Sequence, residues 1–298
     1  NVNFGHIYRA GGGVHASFME NCLGRIARHH LKHLVAKYLQ ESLFKRNARC
    51  HFITNSTMVK EDIQKRYGVP SERIRVIRNG IDLERFNPAA AGKHRDAIRR
   101  KYGFDDEDFV CLFTAAPGRR KGLNELLESI KLIRNERVKL LIVGRTDKGS
   151  LAKQLSEHHL ESRVAYAGFQ PKIEEFYGAS DCFVFPSKYD AAANVVCEAL
   201  ASGVPCITTR TNGSSELIEP GKNGFVVPQA SDYAKICENI EHIVQLDPTR
   251  LSSMREHAMR IGMQFTMDRH IDAIEDVLFE YSNQRATPLK SGAEEAAL

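Results

Sequence analysis

Apolar residues in this chain recur in two periods, and the order of those periods outlines a fold. From residue 109 onward, apolar runs at 109–114, 138–143 (broken by Lys139 alone), 164–166, Cys182–Phe185 and 206–208 alternate with helical spacing at 123–134, 151–158, 173–179 and 194–202. Strands without polar interruption are buried on both faces, so the alternation predicts a parallel sheet with helices on each side. Further helices are predicted from Asp232, Leu251 and Asp268. The same rhythm precedes this block in shorter form: a strand at 50–54, a helix over Thr57–Tyr67, and a strand at 74–77. Asn55 and Ser56 cap that helix, and Gly68 and Pro70 stop it. Earlier still, Met19, Leu23, Ile26, Leu31, Leu34, Val35, Tyr38 and Leu39 lie at helical spacing. They predict one long helix within 16–49, with its apolar stripe packed inward.

A length of 298 residues exceeds the usual single-core size, so two structural units are expected. The polar stretch 88–94 reads as their connector, and 283–298 lacks periodicity and reads as a disordered tail. With 42% hydrophobic and 8% aromatic residues the composition is that of a soluble globular protein. No apolar run approaches the roughly 20 residues that span a bilayer. The opening residues carry neither a basic n-region nor an apolar h-region, and there is no initiator Met, so the chain reads as a fragment without a secretory leader. Seven scattered cysteines with no CxxC pair exclude a zinc ribbon and a dithiol redox site. Cys111, Cys182 and Cys206 fall in strand-like runs, as reduced core thiols of a cytoplasmic protein would. The formal charge of +5 is concentrated: 16–49 holds seven Lys/Arg against Glu20 and Glu41, so the remainder is neutral overall.

In open parallel sheets ligands sit beyond the carboxyl ends of the strands, which directs attention to two turns. After the 109–114 strand, Gly118-Arg119-Arg120-Lys121-Gly122 places three cations at a helix start. Cations there oppose the helix dipole unless an anion joins them, so the turn is either a phosphate site or a solvated basic turn. Neither GxxxxGK[ST] nor GxGxxG is present. After Cys182–Phe185, Asp190 in the loop and Glu198 in the following helix stand eight apart, with small residues between them. The two acids can reach separate parts of an extended ligand, although each alone is more commonly a cap or a surface residue.

Taken in order, these pieces resemble the retaining two-lobed glycosyltransferases of group 1, of GT-B type, nearest to lipopolysaccharide-core glucosyltransferase-like members. The resemblance rests on Asn55-Ser56, 67–70, 74–77 and 79–86, then Arg120-Lys121-Gly122, then Asp190 through Glu198 as an E-x7-E element with Asp first. Cys206-Ile207-Thr208-Thr209, Gly213, Glu216 and 221–225 complete it. It implies an α/β fold of two Rossmann-like lobes: an incomplete acceptor-side lobe at 1–90 and a complete doubly wound nucleotide-sugar lobe at 91–266. A helix at 267–282 would cross back to the first lobe. Arg120, Lys121 and Asp190 are the implied catalytic residues, with the two cations on the departing diphosphate and Asp190 on the sugar. Glu198 would take the ribose hydroxyls, Asn194 and Val195 the distal phosphate, and Gly168 and Phe169 the base; Arg85 near the hinge is a further donor contact. Ala115-Ala116 replaces the family's usual Gly-Arg, so one phosphate contact is either absent or supplied by Arg119. No cofactor and no metal are expected, since the nucleotide sugar is itself the substrate. The acidic triplet 106–108 lies at the opposite end of the sheet and reads as a solvated turn.

The implied activity is transfer of a hexose from a nucleoside-diphosphate sugar, with UDP as carrier, to a glycan or lipid-linked acceptor such as lipopolysaccharide core. Two other readings share the architecture: a sugar-nucleotide 2-epimerase and a non-catalytic nucleotide-binding module. Arg9 and His15, in the glycine-rich stretch 7–15, are candidate acceptor contacts, and His15 reads equally as a loop histidine. The basic 16–49 segment predicts docking on an anionic membrane surface. Nucleic acid is not an expected partner.

Overall fold

The computed structural model describes residues 6–47, 50–116 and 118–286; the expected tail beyond 286 and the opening residues 1–5 lie outside them. The chain builds two parallel sheets. The first holds β1 (Ile7–Arg9), β2 (His51–Thr54) and β3 (Ile74–Val76), side by side in that order. The second holds β4 (Phe109–Ala115), β5 (Val138–Gly144), β6 (Val164–Gly168), β7 (Cys182–Phe185), β8 (Cys206–Thr209) and β9 (Gly224–Val227), ordered β6-β5-β4-β7-β8-β9. The order reverses between β4 and β7, so the loops that leave these two strands part to opposite sides and open a crevice at their carboxyl ends.

In the first unit α1 (His15–Cys22), α2 (Arg25–Arg28) and α3 (Leu31–Arg46) join β1 to β2, and α4 (Thr57–Tyr67) joins β2 to β3. The serine hydroxyl at Ser56 accepts the Val59 amide at 3.3 Å, and Gly68 closes α4 in the left-handed conformation with φ 68°. Then α5 (Pro88–Gly92) and α6 (Arg95–Lys101) lead to the second sheet, so the expected connector is largely helical. In the second unit α7 (Leu123–Leu132), α8 (Lys148–His158), α9 (Glu174–Gly178) and α10 (Asn194–Ala201) follow β4, β5, β6 and β7 in turn. After β9 come α11 (Tyr233–Val244), α12 (Pro248–Gly262) and α13 (Met267–Ala286). Val110–Phe113, Leu140–Val143 and Cys182–Phe185 are almost wholly buried against Leu126, Leu127 and Ile130 of α7 and Ile236, Ile240 and Ile243 of α11. Each large side chain buried in this way contributes on the order of 1.5–3 kcal/mol.

Three expectations are overturned. The long helix within 16–49 is three helices, because the backbone is extended at Leu23-Gly24 and again at His30. Its apolar stripe packs inward only at Met19, with Leu23 partly covered: Ile26 is 90% exposed, Leu31 72%, Tyr38 57% and Leu39 56%, with Leu34 and Val35 nearly as open. The carboxyl end of α3 is anchored where Phe44 stacks on Tyr67 at 4.9 Å and packs with Phe52 and Tyr8, and further back Gln40 accepts the His15 amide at 2.6 Å and donates to the Gly13 carbonyl at 2.9 Å. The acidic triplet is not a wholly solvated turn either. Asp108 is buried and accepts the Asp105 amide at 2.9 Å, while Glu107 pairs with Arg137 at 2.7 Å.

The last helix returns to the first sheet. Val277 packs with Ile53 and Ile77, and Glu280 pairs with Arg75 at 2.7 Å. This helix continues to Ala286, so the first four residues of the expected tail are helical.

Candidate functional site

The turns singled out from the sequence flank the crevice between β4 and β7. They are clasped at the backbone. Gly122, with φ 86°, lies so close beneath the β7–α10 loop that a Cβ there would stand 2.0 Å from the Pro186 carbonyl oxygen. The Lys188 amide donates to the Arg120 carbonyl at 2.8 Å, and the Lys188 ammonium pairs with Glu125 at 2.6 Å. Glycine at 122 therefore answers both a left-handed backbone and an absence of space.

This clasp brings Arg120, Lys121 and Asp190 together. The Arg120 guanidinium donates to Asp190 Oδ2 at 3.0 Å and to the Tyr189 carbonyl at 3.1 Å, and Lys121 Nζ reaches the same Oδ2 at 2.5 Å. Lys121 also stands 5.0 Å above the Phe185 ring. Two cations share one largely buried carboxylate, which leaves one excess positive charge facing the cleft. The helices that start at the crevice, α7 and α10, carry no side-chain cap, so their first amides are not claimed by a side chain of their own.

Glu198, one turn into α10, is half-buried, and its Oε2 accepts the Tyr177 hydroxyl at 3.0 Å. Burial raises its carboxyl above the usual range, against the Tyr177 hydrogen bond and the charge of Arg85. Arg85 itself is turned to Glu174, at 2.7 Å, and lies 5.2 Å over the Phe86 ring, so its reach to a donor passes beside an acidic partner. Asn194 and Val195 open α10, and the Asn194 side chain is met by Asn79 of the first unit at 2.6 Å. Gly168, with φ 69°, ends β6, and Phe169 beyond it is 62% exposed with the Arg145 guanidinium 4.9 Å over its ring. Of the nine predicted residues, direct contacts join Arg120, Lys121 and Asp190 in one cluster, whereas Arg85, Asn194, Glu198 and Phe169 each meet a different partner. Arg119, the alternative source of the phosphate contact that Ala115-Ala116 cannot make, stands in the same turn as Arg120.

Opposite them lies the first unit. A cavity of about 360 Å³ separates Tyr8, Gly12, His15 and Gln40 from Arg120 and Tyr189. His15 lines it, with Nε2 3.1 Å from His33 Nδ1, and burial followed by the His33 charge keeps the ring's pKa low. Arg9 is held by Asn79 at 2.7 Å near the start of α10. The Tyr189 hydroxyl crosses to accept the Val14 amide at 2.8 Å. Glu216 crosses in the other direction and accepts the Thr57 and Met58 amides of α4 at 3.1 and 2.6 Å, together with Arg78 at 2.5 Å. Gly213 allows this approach, since a Cβ there would lie 1.9 Å from the Ala191 carbonyl and 2.3 Å from Ser56 Oγ.

Sequence reasoning identified Glu216 only as part of a pattern and missed Tyr177, Tyr189 and Arg145. A buried tyrosine hydroxyl needs a partner, and Tyr177 sits just ahead of a strand that leads to the Glu198 helix; that was the available signal. Among the described residues no cluster of His, Cys, Asp and Glu could hold a metal, and no helix is long and apolar enough to cross a membrane. All seven cysteines are free thiols.

Comparisons with known proteins bear on the family and the fold. The family model for glycosyl transferases group 1 matches residues 94–260, and that for glycosyltransferase family 4 matches 7–85. An uncharacterized glycosyltransferase of Methanocaldococcus jannaschii is 29% identical over 191 residues, 61% of this chain and 48% of that protein. The D-inositol 3-phosphate glycosyltransferase of Streptomyces bingchenggensis is 27% identical over 244 residues, 76% of this chain and 52% of its own length. The chain thus spans about half the length of the curated relatives it matches. In fold it is similar to WaaG, a glycosyltransferase involved in lipopolysaccharide biosynthesis (TM-score 0.78, 19% identity, 91% of this chain and 74% of that one). It is also similar to Anabaena HepE in complex with UDP and glucose (TM-score 0.75, 21% identity, 91% and 70%). With a family model matched over more than half its length, two parallel sheets of GT-B type and these turns at the switch point, the chain belongs to the glycosyl transferases of group 1.

Proposed function

We propose that the protein transfers a hexose from a nucleoside-diphosphate sugar, with UDP as carrier, to a glycan or lipid-linked acceptor, with retention of configuration and without a metal. The observation that carries this reading is the pair of cations on Asp190 at the switch point, with Glu198 beyond them. An arriving diphosphate offers Arg120 and Lys121 a stronger partner than one carboxylate, and they then stabilise the charge that grows on it as it leaves. Asp190, released from both, is free for the sugar hydroxyls, while Glu198 takes the ribose. Asn194 and Val195 at the open start of α10 suit the distal phosphate, and Gly168 with Phe169 suits the base. We assign the acceptor to the cavity beneath Tyr8, Gly12 and His15. HepE, solved with UDP and glucose, and WaaG, from lipopolysaccharide biosynthesis, are relatives in fold that support the choice of donor and of acceptor class.

Calorimetric titration with UDP tests the donor half. Replacing Lys121 by Ala should weaken binding by about 1.5–3 kcal/mol, the usual worth of a charge-assisted hydrogen bond. Unchanged affinity would remove the diphosphate from this turn. Labelled UDP-sugar, followed for both free nucleotide and glycosylated acceptor, tests transfer.

A second element of the reading places the protein on the cytoplasmic face of an anionic membrane. The exposed stripe of Ile26, Leu31, Leu34, Val35, Tyr38 and Leu39 runs among Arg25, Arg28, Lys32 and Lys37, with no acid between Glu20 and Glu41. An apolar face rimmed by cations suits the interface of such a bilayer, where each Lys or Arg contributes about 1 kcal/mol. Cosedimentation with phosphatidylglycerol vesicles should exceed that with neutral vesicles and weaken, without vanishing, at high salt. Leu34→Asp with Leu39→Asp should abolish the salt-resistant part. Equal binding to both lipids would leave the helix as scaffold.

A further inference from the structure

Tyr177 is among the largest fully buried side chains of the described residues, and its hydroxyl is directed at the first turns of α10. The ring is held without the hydroxyl. It meets Phe86 edge-on at 6.0 Å and Phe183 edge-on at 5.7 Å, contacts that a phenylalanine would make equally. The hydroxyl has one proton and two acceptors in reach, Glu198 Oε2 at 3.0 Å and the Val195 carbonyl at 3.1 Å. Both belong to the first turns of α10, the helix whose start faces the crevice. Glu198 Oε1 accepts no hydrogen bond among the described residues, so the carboxylate is anchored by one oxygen and open at the other.

We propose that Tyr177 is a positioning residue for nucleotide recognition: its hydroxyl fixes Glu198 through Oε2 and so presents Oε1 to the vicinal hydroxyls of a ribose. The inference rests on the nucleotide-sugar reading above and names what makes that site select a ribonucleotide. A carboxylate free to rotate about its terminal torsion meets two ribose hydroxyls only part of the time, whereas one anchored by a buried donor is already aligned. The second acceptor, Val195 O, ties the same hydroxyl to the backbone of α10, so the anchor and the helix start share one reference point. The hydroxyl also favours the ionised carboxylate that two hydroxyl donors require.

The test uses the whole chain and two probes, UDP and 2′-deoxy-UDP, titrated by calorimetry into the unchanged protein and Tyr177→Phe. The unchanged protein should favour UDP by about tenfold or more, as expected for a hydroxyl paired with a carboxylate. In Tyr177→Phe this ratio should fall below about threefold, with 2′-deoxy-UDP affinity held within about twofold. The acid limb of UDP binding should also move to higher pH. Glu198→Gln, which keeps the shape without the charge, should collapse the ratio in the same way, and the double variant should add nothing. An undiminished ratio in Tyr177→Phe or in Glu198→Gln, or an equal loss for both nucleotides, overturns the assignment. Absence of binding by UDP, GDP and ADP to the unchanged protein overturns the nucleotide reading itself, and this inference with it.

Discussion

Burial raises the Glu198 carboxyl above its ordinary value of 4.5, against the Tyr177 hydroxyl and the charge of Arg85, which hold it down. If the ionised form accepts the ribose hydroxyls, nucleotide affinity is complete above the raised value and is lost as the pH falls through it. Arg85→Ala removes one opposing charge and frees Glu174, whose own charge pushes Glu198 further up. The acid limb of UDP affinity, titrated by calorimetry between about pH 4.5 and 7.5, should therefore shift upward in that variant. A shift downward, or none, would separate Arg85 from the site. The side chains that carry formal charge at the crevice were legible in the sequence, because Arg120, Lys121, Asp190 and Glu198 stand at fixed spacings around turns. Their partners were not. Tyr177 lies twenty-one residues from Glu198, and Arg85 lies eighty-nine from Glu174, so only the fold brings either pair together.

At the amino end of β7, remote from the crevice, Asp181 accepts Arg95 and Arg255 at 2.8 Å, Arg99 at 3.2 Å and the Val110 amide at 2.9 Å. Burial alone would raise its carboxyl; Arg95, the Val110 amide and Arg255 outweigh it and hold the pKa below the ordinary 3.8. A depressed folded-state value means stability that is present above 3.8 and lost as the pH falls through the folded-state value. Asp181→Asn should cost about 3–5 kcal/mol in urea denaturation at neutral pH, because three guanidiniums then lack their counter-charge. The difference from the unchanged protein should narrow on acidification, and a pH-independent difference would contradict the assignment. This cluster fastens α6, β7 and α12 together, three elements whose periodicity alone could not say that they meet. Element type was legible wherever burial was two-sided, as in β4, β5 and β7. It failed where a helix is short or half-bare. α5 opens on Pro88 and α6 follows it in a stretch rich in alanine and charge, and three-residue β1 is too brief for any period to register. The stripe of α2 and α3 has the spacing of a buried face and is solvent-exposed, because helical spacing records which side is apolar and not what covers it.

Across the whole molecule the two sheets are joined by contacts narrower than a methyl group at Gly213, and by Glu216 reaching over the crevice to the start of α4. Glu216→Gln should loosen that junction, since amide and guanidinium bonds to an ionised oxygen are worth about 1.5–3 kcal/mol each and those to a neutral amide less. Small-angle scattering should record a larger radius of gyration for the variant, and added UDP should narrow the gap if the nucleotide draws the units together. Equal radii would assign the closed geometry to other contacts. Two parallel units were legible from the alternation of periods, whereas their facing surfaces were not, because the residues that meet there are small or polar and carry no period. The Thr57 and Met58 amides have one further property. Their acceptor belongs to the opposite unit, so they are freed when the crevice opens, without any unfolding of α4. Deuterium uptake at these two positions would then keep time for any opening and closing of the crevice, while the inner turns of the same helix report its unfolding.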